Sequence, residues 1–244
     1  MLVDSHCHID ICERPVQEIV SKNVLIVAVG GNLKSNKQVL SYSELFPNVH
    51  ASIGIDPNDV LNMTGKEIKE NLEFIEKNKE KIVAIGEVGL DFYHIKKSAD
   101  KEKQIKVFNQ IIKLANKLNK PLSVHTRGAE NKVLTMLKTA KVPIILHCFE
   151  GDAVLIQKAI KSGFYFGVPA NFWTRKGFNK TAELAPLNKI ITETDSPFLS
   201  PIGGENQPVN VSYALEKLSE LKNESILKIE TQIYQTTTKI FIKE

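Results

Sequence analysis

Eight short apolar runs, each separated from the next by a longer amphipathic stretch, restrict this chain to a few architectures. They cover residues 2–6, 24–30, 49–54, 82–87, 122–125, 144–148, 164–168 and 190–195. Most are unbroken runs of Val, Ile, Leu, Ala and Phe, the pattern of parallel strands buried on both faces. Of the stretches between them, 101–118 is the clearest helix. Ile105, Phe108, Ile112, Ala115 and Leu118 recur there at helical spacing among Lys, Asn and Gln. Pro121 and Pro143 open strands where a missing N–H is tolerated. Asp152 suits a helix N-cap, and Gly163 the exit from that helix. Two more helical patterns, 209–221 and 225–241, close the chain. Eight such alternations within 244 residues predict an α/β fold, a (β/α)8 barrel of the TIM type, as a single domain over 1–244. A doubly wound open sheet is the structural alternative.

Composition excludes several other classes. Hydrophobic content of 42% and charged content of 25% are ordinary for a globular enzyme. The formal charge of +4 is an excess of lysine spread along polar helix faces, which reads first as solvation and second as attraction for phosphate. Three cysteines, Cys7, Cys12 and Cys148, form no CxxC pair and suggest free thiols in a reducing compartment. No apolar run approaches the roughly 18 residues of a membrane span. Asp4 and His6 interrupt the stretch that a signal peptide would keep apolar, so the expected location is cytoplasmic.

Reactive groups of a β/α barrel lie at the C-terminal ends of its strands. Here the first strand ends in His6-Cys7-His8, the fourth in Glu87, the fifth in His125, the sixth in His147 and the eighth in Asp195. Strand side chains alternate, so His6 and His8 share a face and can grip one ion, while Cys7 points away. A lone HxH pair is a weak signal. The weight comes from four of six histidines and two carboxylates falling on one rim. Burying these groups together without a cation would cost several kcal/mol. Imidazole favours Zn²⁺ and Mn²⁺, carboxylate Mg²⁺ and Mn²⁺, so one or two divalent ions of these kinds are expected. Glu87 lies between the histidine pairs in barrel order and is placed to bridge two ions. Asp195 is the candidate to orient a water and take its proton.

The ordered set His6-Cys7-His8, Gly86-Glu87-Val88-Gly89-Leu90-Asp91-Phe92, Gln104 with Phe108, His125-Thr126-Arg127-Gly128-Ala129, His147-Cys148-Phe149-Glu150-Gly151 and Glu193-Thr194-Asp195-Ser196-Pro197 resembles the TatD family of metal-dependent deoxyribonucleases. The family is a branch of the amidohydrolase-like barrels, and the resemblance runs nearly end to end. It implies that His6, His8, Glu87 and Asp195 hold a first ion and that Glu87, His125 and His147 hold a second. It gives Glu87 and Asp195 catalytic roles and places Arg127 on the scissile or a neighbouring phosphate, which a planar guanidinium suits. The alternative for Arg127 is a structural ion pair. The family usually carries His where Asp56 precedes Pro57, and a basic residue where Glu205 precedes Asn206. Asp56 and Asn206 are therefore substrate-side candidates, and Asp56 equally reads as a turn former before proline.

The implied activity is hydrolysis of DNA phosphodiester bonds, on single-stranded substrate and in the manner of a 3′-to-5′ exonuclease. Phe92-Tyr93-His94 and Phe172-Trp173 are candidates for stacking on bases or for packing between loops. The lysines at 96, 97, 101 and 103 read as a solvated face rather than a DNA track. Two other functions stay open: a small-molecule amidohydrolase selected by Asp56 and Glu205, and a metal-stabilised binding protein without turnover. The oligomeric state is not legible.

Overall fold

A computed structural model describes residues 1–93, 95 and 97–242. Its eight strands are β1 (Leu2–Cys7), β2 (Val24–Gly30), β3 (Val49–Ile53), β4 (Ile82–Gly89), β5 (Leu122–His125), β6 (Ile144–Leu146), β7 (Tyr165–Pro169) and β8 (Ile190–Glu193). They form one sheet in sequence order, and each neighbouring pair is parallel. Beyond the strand ends, Asp195 N–H donates to His6 O at 2.9 Å and His8 N–H to Ser196 O at 2.7 Å. These bonds join the last strand to the first, so the barrel prevails over the open doubly wound sheet. A sheet of parallel strands needs helical crossovers, and covering both faces makes its strands apolar throughout. All seven residues of β2 are buried accordingly.

The helices are α1 (Val16–Ile19), α2 (Leu33–Leu45), α3 (Pro57–Asn62), α4 (Gly65–Lys77) and α5 (Ser98–Leu118), followed by α6 (Glu130–Met136), α7 (Ala153–Lys161), α8 (Lys176–Leu184), α9 (Val211–Lys222) and α10 (Ile226–Phe241). The longest, α5, buries Val107, Phe108, Ile111, Ile112 and Ala115. It ends where Asn119 turns left-handed at φ 53° ahead of Pro121. Asp152 caps α7 by accepting from Leu155 N–H at 2.8 Å, and Gly163 follows the helix at φ 80°. Among the described residues no helix is long and apolar enough to cross a membrane. Cys7, Cys12 and Cys148 are unpaired thiols.

One glycine fixes the rim of the site. At Gly89, φ is 140° and an added Cβ would lie 2.1 Å from the carbonyl oxygen of His125. No L side chain fits there, which lets β4 carry Glu87 directly alongside β5.

Candidate metal centre

The strand ends bring six side chains together. The Nε2 atoms of His6 and His8 lie 3.3 Å apart. Glu87 reaches both with Oε2, at 3.6 Å and 3.5 Å respectively. Its other oxygen, Oε1, faces His125 Nδ1 at 2.8 Å and His147 Nε2 at 4.0 Å. Asp195 Oδ1 closes the ring, 3.5 Å from both His8 Nε2 and His147 Nε2 and 3.8 Å from His6 Nε2. The His6 and His147 rings stack at 3.6 Å between centroids. Cys7 points away into the apolar core, completely buried.

A second ring of partners orients the imidazoles. His8 Nδ1–H donates to Val29 O at 3.2 Å, leaving Nε2 with its lone pair toward the cluster. His6 Nδ1 meets Ser123 Oγ at 3.1 Å. His125 Nε2–H donates to Asp91 Oδ2 at 3.0 Å, which turns Nδ1 toward Glu87. Gln104 holds the Asp91 backbone: its Oε1 accepts from Asp91 N–H at 3.0 Å and its amide donates to Pro57 O at 2.7 Å. Glu193, fully buried, sits 3.1 Å from His147 Nδ1 as an ion pair not aligned for a hydrogen bond, and accepts from Cys148 N–H at 2.8 Å. Carboxylates and carbonyls behind metal-ligating histidines fix the tautomer and raise ligand basicity. Sequence reading missed Glu193, the last residue of β8, although it stands two residues before Asp195.

The electrostatics describe a cluster that demands positive charge. Burial would raise Glu87, but hydrogen bonds from His125, His6 and His8 hold it well below the usual carboxylate range. Asp195 is likewise depressed, with His147 and His8 outweighing burial. Burial would lower His125, yet Asp91 and Glu87 carry it up to about 10. His147 rises to about 9 against burial, through Glu193 and Asp195. His8 is pushed well above its ordinary value despite burial, by Asp195 and Glu87. Of the four clustered imidazoles His6 is the one lowered, by burial and by neighbouring His147. Among the described residues four sets of donor atoms lie close enough to share an ion: His6, His8 and Glu87; His6, His147 and Asp195; Glu87, His125 and His147; and, behind the cluster, His147, Cys148 and Glu193. These are borderline nitrogen and hard oxygen donors, which fit a divalent cation.

Two cavities open beside the cluster. One of about 300 Å³ is lined by Asp10, Asp56 and Asp59. Another of about 280 Å³ is lined by Thr126, Arg127, Glu150 and Arg175. His125, His147, Asp195 and Phe198 line both. Asp56 acts as the turn former before Pro57 and also lines the first cavity. Its Oδ1 caps α3, accepting from Asn58 N–H at 2.6 Å, while burial and then Glu87 push its carboxyl up to about 6. Arg127 lies with Cζ 4.2 Å over the Tyr93 ring and makes no ion pair among the described residues. Asn206, expected on the substrate side, lies within the loop after β8. It is fully buried, donates to Thr194 O at 2.9 Å, and accepts from Gln207 N–H and the Asn210 amide. Its polar atoms are spent on holding the loop after β8.

The candidate stacking residues also sort themselves. Phe172 is buried, and Trp173 lines a separate cavity with Lys217 and Leu221. Phe92 lies under Lys101, and Tyr93 is exposed beneath Arg127. His94 and Lys96 lie outside the described residues. Phe198, which the sequence reading did not single out, is 53% exposed and edge-on to His8 at 6.5 Å.

A family model described as TatD related DNase matches residues 3–242. The chain belongs to this family. A TatD-family relative named an uncharacterized metal-dependent hydrolase, from Methanocaldococcus jannaschii, is 32% identical over 98% of this chain and 96% of its own length. The human deoxyribonuclease TATDN3 is 30% identical over 99% of this chain and 95% of its own. The crystal structure of the TatD homologue YJJV from Escherichia coli superposes with a TM-score of 0.89 at 22% identity, covering 100% of this chain and 98% of that one. The barrel is thus a fold that this chain shares with that TatD homologue.

Proposed function

We propose that this TatD-family chain is a metal-dependent deoxyribonuclease that hydrolyses phosphodiester bonds of single-stranded DNA, removing nucleotides from the 3′ end. The observation that carries the reading is the division of Glu87, with one oxygen toward His6 and His8 and the other toward His125 and His147. A carboxylate so placed suits a shared ligand between two divalent ions, with Mg²⁺, Mn²⁺ or Zn²⁺ as the candidates. His6, His8, Glu87 and Asp195 would hold one, and Glu87, His125 and His147 the other. Bound there, the ions supply Lewis-acid polarisation of the phosphoryl oxygens and lower the pKa of water.

The chain's own groups do the rest. Asp195, at 17% side-chain exposure, is more accessible than Glu87 at 6%, so it orients the attacking water and takes its proton. Arg127, braced on Tyr93 and lining the cavity with His125, donates to the phosphate. Phe198 offers a half-exposed ring to a base. Cavities of this size match a small-molecule site rather than a duplex groove and support an unpaired substrate.

The acidic cavity at Asp10, Asp56 and Asp59 favours a second reading, a small-molecule amidohydrolase with an uncharged or cationic substrate. An end-labelled single-stranded oligonucleotide, run beside a panel of amides, lactones and esters, separates the two. The deoxyribonuclease reading expects a ladder with added metal, none with chelator, and none from His6→Ala or Glu87→Ala. Turnover confined to the small-molecule panel would transfer the assignment to the second.

A further inference from the structure

The two cavities flanking the cluster differ in charge. Among the described residues, the one carrying Asp10, Asp56 and Asp59 has no Lys or Arg in its lining, whereas the other carries Arg127 and Arg175 beside Glu130 and Glu150. A nucleic-acid strand brings a negative charge with every nucleotide, so a second phosphate beside the scissile one finds guanidinium partners, with carboxylates among them, on the Arg127/Arg175 side and carboxylates without such partners on the other. Arg127 stands close to the cluster, two residues from His125, and falls to the scissile phosphate. Arg175 remains.

Arg175 opens α8, with its Cζ 5.1 Å over the ring of Phe178. Stacking on a ring fixes the direction of the side chain and leaves the guanidinium edge able to donate. Its partner is Glu150, whose Oε2 is 3.6 Å from Nη1, beyond hydrogen-bond length, with side-chain exposures of 45% and 33%. An exposed ion pair of this length is weak and can yield to a phosphate. Glu150 is less free to move than its partner. It packs against the first turn of α8 at Gly177, where an added Cβ would come within 2.8 Å of Glu150 Cβ. A glycine there keeps the carboxylate beside Arg175, and that carboxylate opposes any phosphate the arginine would take.

We propose that Arg175 binds the phosphate next to the scissile one and that Glu150 weakens this contact, so that the site selects substrates carrying a second phosphate on the Arg175 side. The proposal rests on the phosphodiesterase reading above. The test compares three thymidine dinucleotides: one with only the internal phosphodiester, one with an added 5′-phosphate and one with an added 3′-phosphate. Steady-state KM and kcat are measured for the metal-loaded wild type, Arg175→Met and Glu150→Gln, with the fold of each variant confirmed by circular dichroism. In the wild type, one of the two phosphorylated forms should show the lower KM relative to the plain dinucleotide. Arg175→Met should shrink that preference about tenfold, the worth of one charge-assisted hydrogen bond, and Glu150→Gln should enlarge it. A structural role for the pair would move both variants in the same direction. Equal preference in all three proteins, or a change of the same sign in both variants, overturns the proposal while leaving the phosphodiesterase reading in place. Absence of cleavage of all three dinucleotides by the wild type, across several metals, counts against that reading itself.

Discussion

Glu193→Gln isolates what a buried carboxylate behind a ligand histidine contributes. Glu193 is fully buried, with Oε1 3.1 Å from His147 Nδ1 and 2.8 Å from Cys148 N. Its other oxygen presses against Gly167, where an added Cβ would come within 2.0 Å, so glutamine fits the same slot without a new cavity. The change removes one charge and little else. Burial alone would hold the His147 ring below 6.5, yet Glu193, followed by Asp195 and Glu87, lifts it to about 9. That rise, net of burial, is roughly 3 kcal/mol in favour of a positive charge, and the three carboxylates together supply at least that much. The share of Glu193 is then about 1–2 kcal/mol, or roughly tenfold in metal affinity, within the range of such outer partners. The size of the loss depends on pH. Above about 9 the ring is already deprotonated and the full loss shows. Near neutrality a metal must first displace the proton that Glu193 also favours, and the two effects partly cancel. Competition of Mn²⁺ or Zn²⁺ against a chromophoric chelator, at about pH 7 and about pH 9.5, reads both limits. Affinity within twofold of wild type at the higher pH, or a larger loss at the lower, would refute the reasoning.

Other outcomes follow from the same geometry. Gly89→Ala forces a Cβ to within 2.1 Å of His125 O at φ 140°, and should lower stability by several kcal/mol, seen as a fall in Tm of roughly 5 °C or more with weakened metal binding; an unchanged melt contradicts the close strand approach. The raised imidazoles His8, His125 and His147 should make divalent-ion binding release at least one proton per chain near neutral pH, measured by calorimetry in buffers of differing protonation enthalpy. Without metal, the stability that His147 and His125 contribute is complete below 6.5 and is lost as pH rises through about 9 and about 10. A melting temperature that climbs over that interval would contradict the sign. Asp56→Asn keeps the α3 cap and removes a charge beside Glu87, so KM for an oligonucleotide should fall severalfold; a rise in KM argues that the carboxylate contacts substrate.

The barrel was legible because strands covered on both faces leave unbroken apolar runs, and the cluster was legible because ligand-type residues recur at the same ends of those runs. The turns at the strand ends were not. Cys148 and Asp195 adopt φ of 44° and 56°, so β6 and β8 stop before His147 and Asp195, and the chain swings these side chains inward from just past the strands. Left-handed non-glycine residues carry no reliable local signature, and the runs were extended through them. Asp91 and Glu193 were hidden for a different reason: a partner to a histidine is defined by contact across strands, and only the two-residue spacing from Glu193 to Asp195 hinted at one. Asn206 was a substrate-side candidate through the likeness of its loop to the family's, and in the structure its side chain bonds within that loop. Arg175 and Phe198 reach the mouth only through the path of the loops after β7 and β8.

Metal content of the purified chain and of Glu87→Ala, determined by elemental analysis after equilibration with Mn²⁺ and gel filtration, bears most directly on the centre. With Glu87 shared between the His6/His8 and His125/His147 pairs, the wild type should retain at least one ion per chain and the variant should lose most of it while staying folded. Equal metal content in the two proteins, or none in the wild type, would contradict a metal centre at this mouth of the barrel.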